Sequence, residues 1–253
     1  MGVAPHTEGR VAPDEKPKRH VRLKRLGFVL LGLIVVIGST GAAIGVTYAA
    51  KLATLPQIAR QENRLHGGTW VPLSGVSPWF TSALIATEDQ SFYSNWGVSF
   101  EGTLRALLVD IQTGSFAQGG STLTQELIRD LLLSPRKTLE RKFIGTMLSF
   151  YTAALYSKAQ VLTMYVNQVY LGAGAYGIQT ASIRYFGIPA SKLTLAEGAM
   201  LAGLPQAPSA YDPLVHLALA KMRQKEVLDR MLAEGVISSK QARRAYAASL
   251  PLR

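Results

Sequence analysis

Glu88-Asp89-Gln90-Ser91-Phe92 closes one apolar segment, and Gln118-Gly-Gly-Ser-Thr-Leu-Thr-Gln125 opens the next about thirty residues later. Both segments carry helix punctuation. Ser77-Pro78 is an N-cap followed by proline in the first turn, ahead of Phe80, Ala83 and Leu84. Thr122 and Gln125 have capping-box spacing before Leu127, Ile128 and Leu131. The same signals recur along the chain, and no strand pattern stronger than a weak alternation between 67 and 76 competes with them. The expected fold class is mainly α.

The expected helices follow from these signals. One covers about 99–112, with Leu104, Leu107, Leu108 and Ile111 on one face. Ser134-Pro135 starts a long helix to about Leu155, with Leu139, Phe143, Met147, Tyr151 and Leu155 as its stripe. Ser157 and Gln160 cap the next, which Gly172 ends. Ile178 to Phe186 is a short helix closed by Gly187, and Thr194 and Glu197 cap another that Pro205 and Pro208 stop. A charged amphipathic helix spans about 216–233, and Ser238 and Gln241 begin the last.

Leu26 to Ala50 holds no charged residue, and about 20 apolar residues span a bilayer core. Arg10, Lys16, Lys18, Arg19, Arg22, Lys24 and Arg25 precede it, which favours a cytoplasmic N-terminus and an outward-facing remainder. A cleaved signal peptide, whose apolar core is shorter, is the alternative. The organisation read from this is a basic cytoplasmic tail over 1–25, a transmembrane helix over 26–50, a connector over 51–76 and one domain over 77–253. Residues 1–20 are polar and read as disordered. The chain has no cysteine, which excludes thiol catalysis, cysteine-ligated metal and disulfides. The net charge is +11, most of it beyond the span, and a basic domain beside a membrane suits an anionic partner such as headgroups or a phosphate-bearing substrate. Nucleic acid does not fit the outer face of a membrane.

Glu88 ends its helix, where the negative end of the dipole, the neighbouring Asp89 and burial would all raise its pKa toward that of a base working near neutral pH. A solvated acidic pair is the alternative on spacing alone. The loop from Gln118 to Gln125 could present backbone N–H groups to an oxyanion or diphosphate, or be a plain surface loop. Arg136, Lys137, Arg141 and Lys142, with Arg129 one element earlier, form a basic cluster that could neutralise a diphosphate leaving group, or a solvated helix face. His6, His20, His66 and His216 are scattered and form no metal constellation.

Together these elements resemble the peptidoglycan glycosyltransferases, glycosyltransferase family fifty-one, which occur as monofunctional enzymes and as N-terminal domains of class A penicillin-binding proteins. Glu88, Asp89, Phe92 and Gly97 match the first family motif, and Gln118 through Gln125 the second. Arg141-Lys142 opens the third; Tyr156-Ser157-Lys158 and Tyr165-Val166-Asn167 match the fourth. Gly174 through Gly187 match the fifth, and Leu195-Ala196-Glu197 with Ala202 through Pro208 complete the tail. The resemblance covers about 70–250. It implies a lysozyme-like domain with a jaw subdomain that polymerises lipid II and releases undecaprenyl diphosphate. Glu88 would be the general base. Asp89, Phe92, Gln118, Ser121, Thr122, Gln125, Lys137, Arg141, Lys142 and Asn167 would handle substrate. Membrane lipid, the growing glycan strand and a transpeptidase or other cell-wall synthesis proteins are the implied partners. No cofactor is called for by the residues themselves; a divalent metal enters only through the resemblance. No transpeptidase segment follows, so a monofunctional chain is expected.

Four positions depart from the family pattern. Asn95 replaces a histidine, Glu126 the second glutamine and Asp130 an asparagine. In the third motif, Arg-Lys-x-x-Glu, the glutamate position is Gly145, and a mid-helix glycine costs about 1 kcal/mol relative to alanine. Arg136-Lys137-Thr138-Leu139-Glu140 spells that motif five residues early. Either Glu88 suffices, with Glu126 or Glu140 as a substitute second carboxylate, or the chain is a degenerate member that binds lipid II or a partner without polymerising. A lysozyme-like hydrolase is a third, weaker reading.

Overall fold

The computed structural model describes residue 2 and residues 17–102, 120–136 and 138–253. The helix expected over 99–112, Gln118 and Lys137 therefore lie outside the described residues, apart from the short helical start at 100–102. The described residues hold ten α-helices: α1 Pro17–Ala53, α2 Leu55–Leu65, α3 Pro78–Glu88, α4 Leu123–Leu132, α5 Leu139–Leu155, α6 Lys158–Gln168, α7 Ile178–Phe186, α8 Leu195–Ala202, α9 Leu217–Ala233 and α10 Ser239–Ala247. Among the described residues the only β pairing is an isolated antiparallel bridge between Tyr170 and Tyr176. The protein is mainly α, as its capping signals foretold.

The chain divides into two compact units, Met1–Ala43 and Ile44–Arg253. Most of the apolar run belongs to the first. Gly27–Ala53 has a mean hydropathy of 2.3 and is long and apolar enough to cross a membrane by length and composition. Phe28, Leu31, Ile34 and Val35 are exposed along it. The helix begins at Pro17, so residues 17–20 are helical rather than disordered.

In the second unit the caps place the helices. Ser77 Oγ accepts from Trp79 N at 3.3 Å and donates to Leu193 O at 2.7 Å, so the residue that starts α3 also fastens it to the segment before α8. Reciprocal capping boxes begin α4 (Thr122/Gln125), α6 (Ser157/Gln160), α8 (Thr194/Glu197) and α10 (Ser238/Gln241). α3 lies against α8, and α9 packs on both. The approach is close: a Cβ on Gly198 of α8 would meet Phe80 N of α3 at 2.9 Å. α4 packs between α5 and α6, and α2 against α6. Phe80, Leu84, Phe92, Leu123, Leu127, Ile128, Leu148, Leu162 and Tyr165 form one apolar core with the C-terminal part of α1, where Leu52 is buried.

The connector over 51–76 contains α2 and a 3-10 turn at Leu73–Gly75, and the weak alternation over 67–76 forms no strand. The long helix starts at Leu139, because Thr138, not Ser134, supplies the cap: its side chain accepts from Arg141 N at 3.1 Å. Its stripe is also different. Gly145, Leu148, Ser149 and Thr152 are buried, while Leu139 is 86% and Leu155 59% exposed. Ser149 and Thr152 can face the core because their hydroxyls donate to Gly145 O at 2.7 Å and Leu148 O at 2.8 Å, leaving no unpaired group. α6 ends at Gln168, four residues before Gly172.

Asn167 ties this unit together. Its side chain donates to Val71 O and Thr163 O and accepts from Val71 N, each at 2.8 Å, and it is fully buried. Asn167→Ala should therefore lower stability by about 2–4 kcal/mol through the unpaired backbone groups of Val71, read as a shift of the urea midpoint of the detergent-solubilised chain; an unchanged midpoint would refute the tie.

Candidate functional site

Glu88 is the last residue of α3, with its side chain 17% exposed. Arg223 of α9 reaches it: Arg223 Nη2 lies 3.3 Å from Glu88 Oε1, and the guanidinium is 4% exposed. The arginine is itself anchored, donating from Nε to Gly203 O at 3.2 Å and from Nη1 to Glu226 Oε2 at 2.9 Å, 5.9 Å from the Tyr211 ring. Arg230, about two helical turns further along α9, donates to Thr87 O at 2.5 Å and adds a second positive charge near Glu88. Burial raises the Glu88 pKa, while Arg223 and Arg230 pull it down; burial wins and the net shift is upward. The sequence pointed to neither arginine. The usable signal was the spacing of Arg223 within a stripe, Ala220, Arg223 and Val227, that is otherwise the buried face of α9.

Asp89 turns away from its neighbour. Its carboxylate accepts from Asn95 Nδ2 at 2.9 and 3.1 Å, from Ser91 Oγ at 3.1 Å and from Leu123 N at 3.1 Å. It is buried, which raises its pKa against those bonds. It therefore staples the end of α3 to the start of α4, and it is not among the causes of the Glu88 shift that adjacency had suggested. Asn95, the residue in the histidine position, extends this network: Lys158 Nζ donates to its O at 2.7 Å and its Oδ1 at 2.9 Å, and Oδ1 accepts from Gly97 N. Gly97 has φ of +83°, and a Cβ there would run into Ser149 O. Thr122 Oγ1 donates to Gly97 O at 2.6 Å, so the loop after α3 is fastened to the cap of α4 from both sides.

Several expected substrate contacts thus have their polar atoms bonded inside the protein. Asp89, Thr122 and Asn167 are buried and fully engaged, Phe92 is a core ring beneath Lys158 Nζ at 4.9 Å, and Gln125 completes the capping box with its Nε2 3.4 Å from Thr146 Oγ1. These residues shape the site. Ser121 is exposed, and Lys142 is exposed on α5. Arg141 is half-buried; its Nη1 lies 3.5 Å from Ser134 O, and its Nε is buried without a hydrogen-bond partner among the described residues. Arg129 is paired with Asp130 at 2.8 Å.

Of the candidate second carboxylates, Glu140 is exposed in the first turn of α5. Gly145 is buried, and a Cβ there would meet Leu133 Cδ1 at 3.1 Å, so a side chain requires Leu133 to give. Glu126 is different. It sits in the first turn of α4, half-buried, and its Oε2 accepts from the buried Tyr165 hydroxyl at 2.7 Å. Burial first, then the charge of Glu88, raise its pKa to about 7, against the Tyr165 bond and Arg129. Tyr165 is raised well above its ordinary value by the same burial and by Glu126 and Glu88. The charge of Glu88 on α3 thus bears on Glu126 of α4. Among the described residues no group of three or more His, Asp or Glu is placed to hold a metal ion.

Residues 54–232 match the family model described as Transglycosylase. The chain is 38% identical over 242 residues to penicillin-binding protein 1A of Neisseria lactamica, covering 87% of this chain and 30% of that protein. It is 39% identical over 172 residues to penicillin-binding protein 1A of Aquifex aeolicus, covering 68% and 24%. A crystal structure of penicillin-binding protein 1A from Haemophilus influenzae aligns with a TM-score of 0.45 at 24% identity, over 74% of this chain and 18% of that one. The chain spans less than a third of the length of these relatives.

The raised pKa of Glu126 has a consequence for stability. Its folded value of about 7 lies above the ordinary 4.5, so burial favours the neutral acid. That contribution is complete below about pH 4.5 and is lost as pH rises through 7, to a total of about 3 kcal/mol. Glu126→Gln does not titrate and should gain on wild type by about that amount between pH 4.5 and pH 7, levelling above; parallel urea midpoints at both pH values would rule this out.

Proposed function

Because the chain belongs to the transglycosylase family, we propose that it is a peptidoglycan glycosyltransferase that polymerises lipid II into glycan strands and releases undecaprenyl diphosphate. The observation that carries this reading is Glu88, a carboxylate at a helix end with burial raising its pKa and a buried arginine holding its orientation. Glu88 takes the proton of the acceptor's 4-hydroxyl as that oxygen attacks the anomeric carbon of the lipid-linked donor. The bond from that carbon to the diphosphate oxygen breaks, its electron pair leaves with the diphosphate, and the anomeric centre inverts. Diphosphate is a good leaving group, so neutralising its charge matters more than protonating it. Lys137, Arg141 and Lys142 are assigned to that task, and the unpartnered Arg141 Nε suits an anion.

The membrane setting follows the same reasoning. The apolar span in α1 would anchor the chain in the cytoplasmic membrane, with the basic N-terminal flank inside and the catalytic unit on the outer face. Trp96 and Phe100, 78% and 73% exposed beside Phe150, offer apolar surface to the lipid part of the substrate and to the bilayer. A transpeptidase or another cell-wall synthesis protein is the expected partner.

Gly145 favours a second reading, a family member that binds lipid II without joining it, since the third motif lacks its glutamate. Incubating the full-length protein with labelled lipid II separates the two. Polymer from wild type, reduced at least about 10²-fold in Glu88→Gln, is expected; equal polymer from both would overturn the base assignment. Binding without polymer, with polymer appearing in Gly145→Glu, would establish the second reading.

A further inference from the structure

Lys158 stands where a cation is disfavoured. It is the first residue of α6, at the positive end of that helix's dipole, and the Ser157/Gln160 box already supplies the cap. A residue that breaks a local rule has its compensation elsewhere. Here Lys158 Nζ donates to Asn95 O at 2.7 Å and to Asn95 Oδ1 at 2.9 Å, and lies 4.9 Å from the centre of the buried Phe92 ring. Asn95 turns its other end to Asp89. Its Nδ2 donates to Asp89 Oδ1 at 2.9 Å, to Asp89 Oδ2 at 3.1 Å and to Ser91 Oγ at 3.2 Å. Asn95 Oδ1 also accepts from Gly97 N at 2.9 Å. The amide thus sets its carbonyl on a cation and its NH2 on an anion, and both of its ends are engaged. Asp89 is 5% exposed, and the cation that bears on its charge, Lys158, reaches it through this amide.

We propose that Lys158 and Asn95 are positioning residues for Glu88, a lysine–amide–carboxylate relay that fixes the Asp89 cap of α3 and, through it, the residue just before. The inference rests on the glycosyltransferase reading and deepens it. The last carbonyls of a helix lack partners within it, so its final turn needs holding from outside. Asp89 N donates to Ile85 O at 3.0 Å and Asp89 O accepts from Phe92 N at 2.9 Å, which joins the cap to α3 on one side and to the turn on the other. With the Asp89 carboxylate held, Glu88 meets Arg223 Nη2 at 3.3 Å. A displaced base costs the transition state and leaves ground-state binding alone, so loss of the relay belongs in kcat rather than KM. Asparagine bridges the two charges at every pH. A neutral histidine can likewise donate to Asp89 and accept from Lys158, but an imidazolium is a donor at both nitrogens and opposes the ammonium. Asp89 and Lys158 are the charged groups bonded to Asn95, and Glu101 lines the same cavity. The α4 and α5 groups that meet the turn, Leu123 N, Thr122 Oγ1 and Ser149 O, do not titrate.

Two measurements on the full-length chain in detergent test this. The first is carbon-13 NMR of the glutamate side-chain carboxyls, which needs no turnover. Asn95→Leu breaks the relay without changing the net charge. The Glu88 midpoint, identified by its loss in Glu88→Gln, should rise in Asn95→Leu as the carboxylate leaves Arg223. A midpoint equal to that of wild type overturns the proposal. The second is kcat and KM for labelled lipid II across about pH 5.5–8.5, for wild type, Asn95→Leu and Asn95→His. Asn95→Leu should lose about 10–10²-fold in kcat with KM within about twofold. Asn95→His keeps both bonds when neutral and should restore most of that kcat above about pH 7.5. Below about pH 6.5 its kcat should fall more steeply than that of wild type, by up to about a further tenfold per unit. An Asn95→His profile parallel to wild type, or a loss carried by KM, overturns the proposal. If wild type forms no polymer at any pH while the Glu88 midpoint moves in Asn95→Leu, the glycosyltransferase reading fails and the relay stands.

Discussion

The carboxylate of Asp89 holds the site together. It accepts bonds from Ser91, Asn95 and the Leu123 amide, joining the end of one helix, the turn that follows and the first residue of a helix over thirty positions later. A buried carboxylate without these donors would be costly, so the turn and the α4 start are held as a unit with it. Because Asp89 is spent on this joint, the adjacent Glu88 is left to face the other way, toward Arg223. Because α4 is fixed at its first turn, Glu126 in that turn is fixed too.

The electrostatics of the site are a consequence of that scaffold. Arg223 is buried with three separate partners, Gly203 O, Glu226 and Glu88, so its charge is compensated and its fork cannot swing. Glu88 has lost water and gained cations, and the loss of water is the larger effect. Glu126 has lost water too, and the Tyr165 hydroxyl and Arg129 offset that loss only in part, so its pKa is raised to about 7. A single carboxylate pair thus acquires two characters, with no residue in it being chemically unusual.

Local signals were read correctly where the physics is local. Ser77, Thr122, Ser157, Thr194 and Ser238 all cap as their spacing implies, since a cap bond involves only residues two or three apart. α2 escaped because Thr54 makes no side-chain cap bond and its buried face, Leu55, Ala59 and Asn63, includes a polar residue. The face of α5 was misread for a related reason: Ser149 and Thr152 look solvent-facing in a sequence, yet their hydroxyls bond to the preceding turn and can be buried. For the site, the family motifs located Glu88 and the loop to Gln125, but could not distinguish a side chain that faces a ligand from one that, like Asn167 or Thr122, completes the backbone of its neighbours.

The sequence by itself determined the helical class, the apolar span near the N-terminus, most helix boundaries, the candidate base Glu88 and the missing carboxylate at Gly145, because each is written in composition, short-range spacing or motif order. Tertiary structure alone decided that Arg223, 135 positions away, pairs with Glu88, that Asp89 is a joint, and that Glu126, unlike the exposed Glu140, is half-buried on the Tyr165 hydroxyl. Those outcomes depend on which faces of α3, α4, α6 and α9 meet, and on how much water each carboxyl loses when they do; neither quantity has a signature within a few residues of chain.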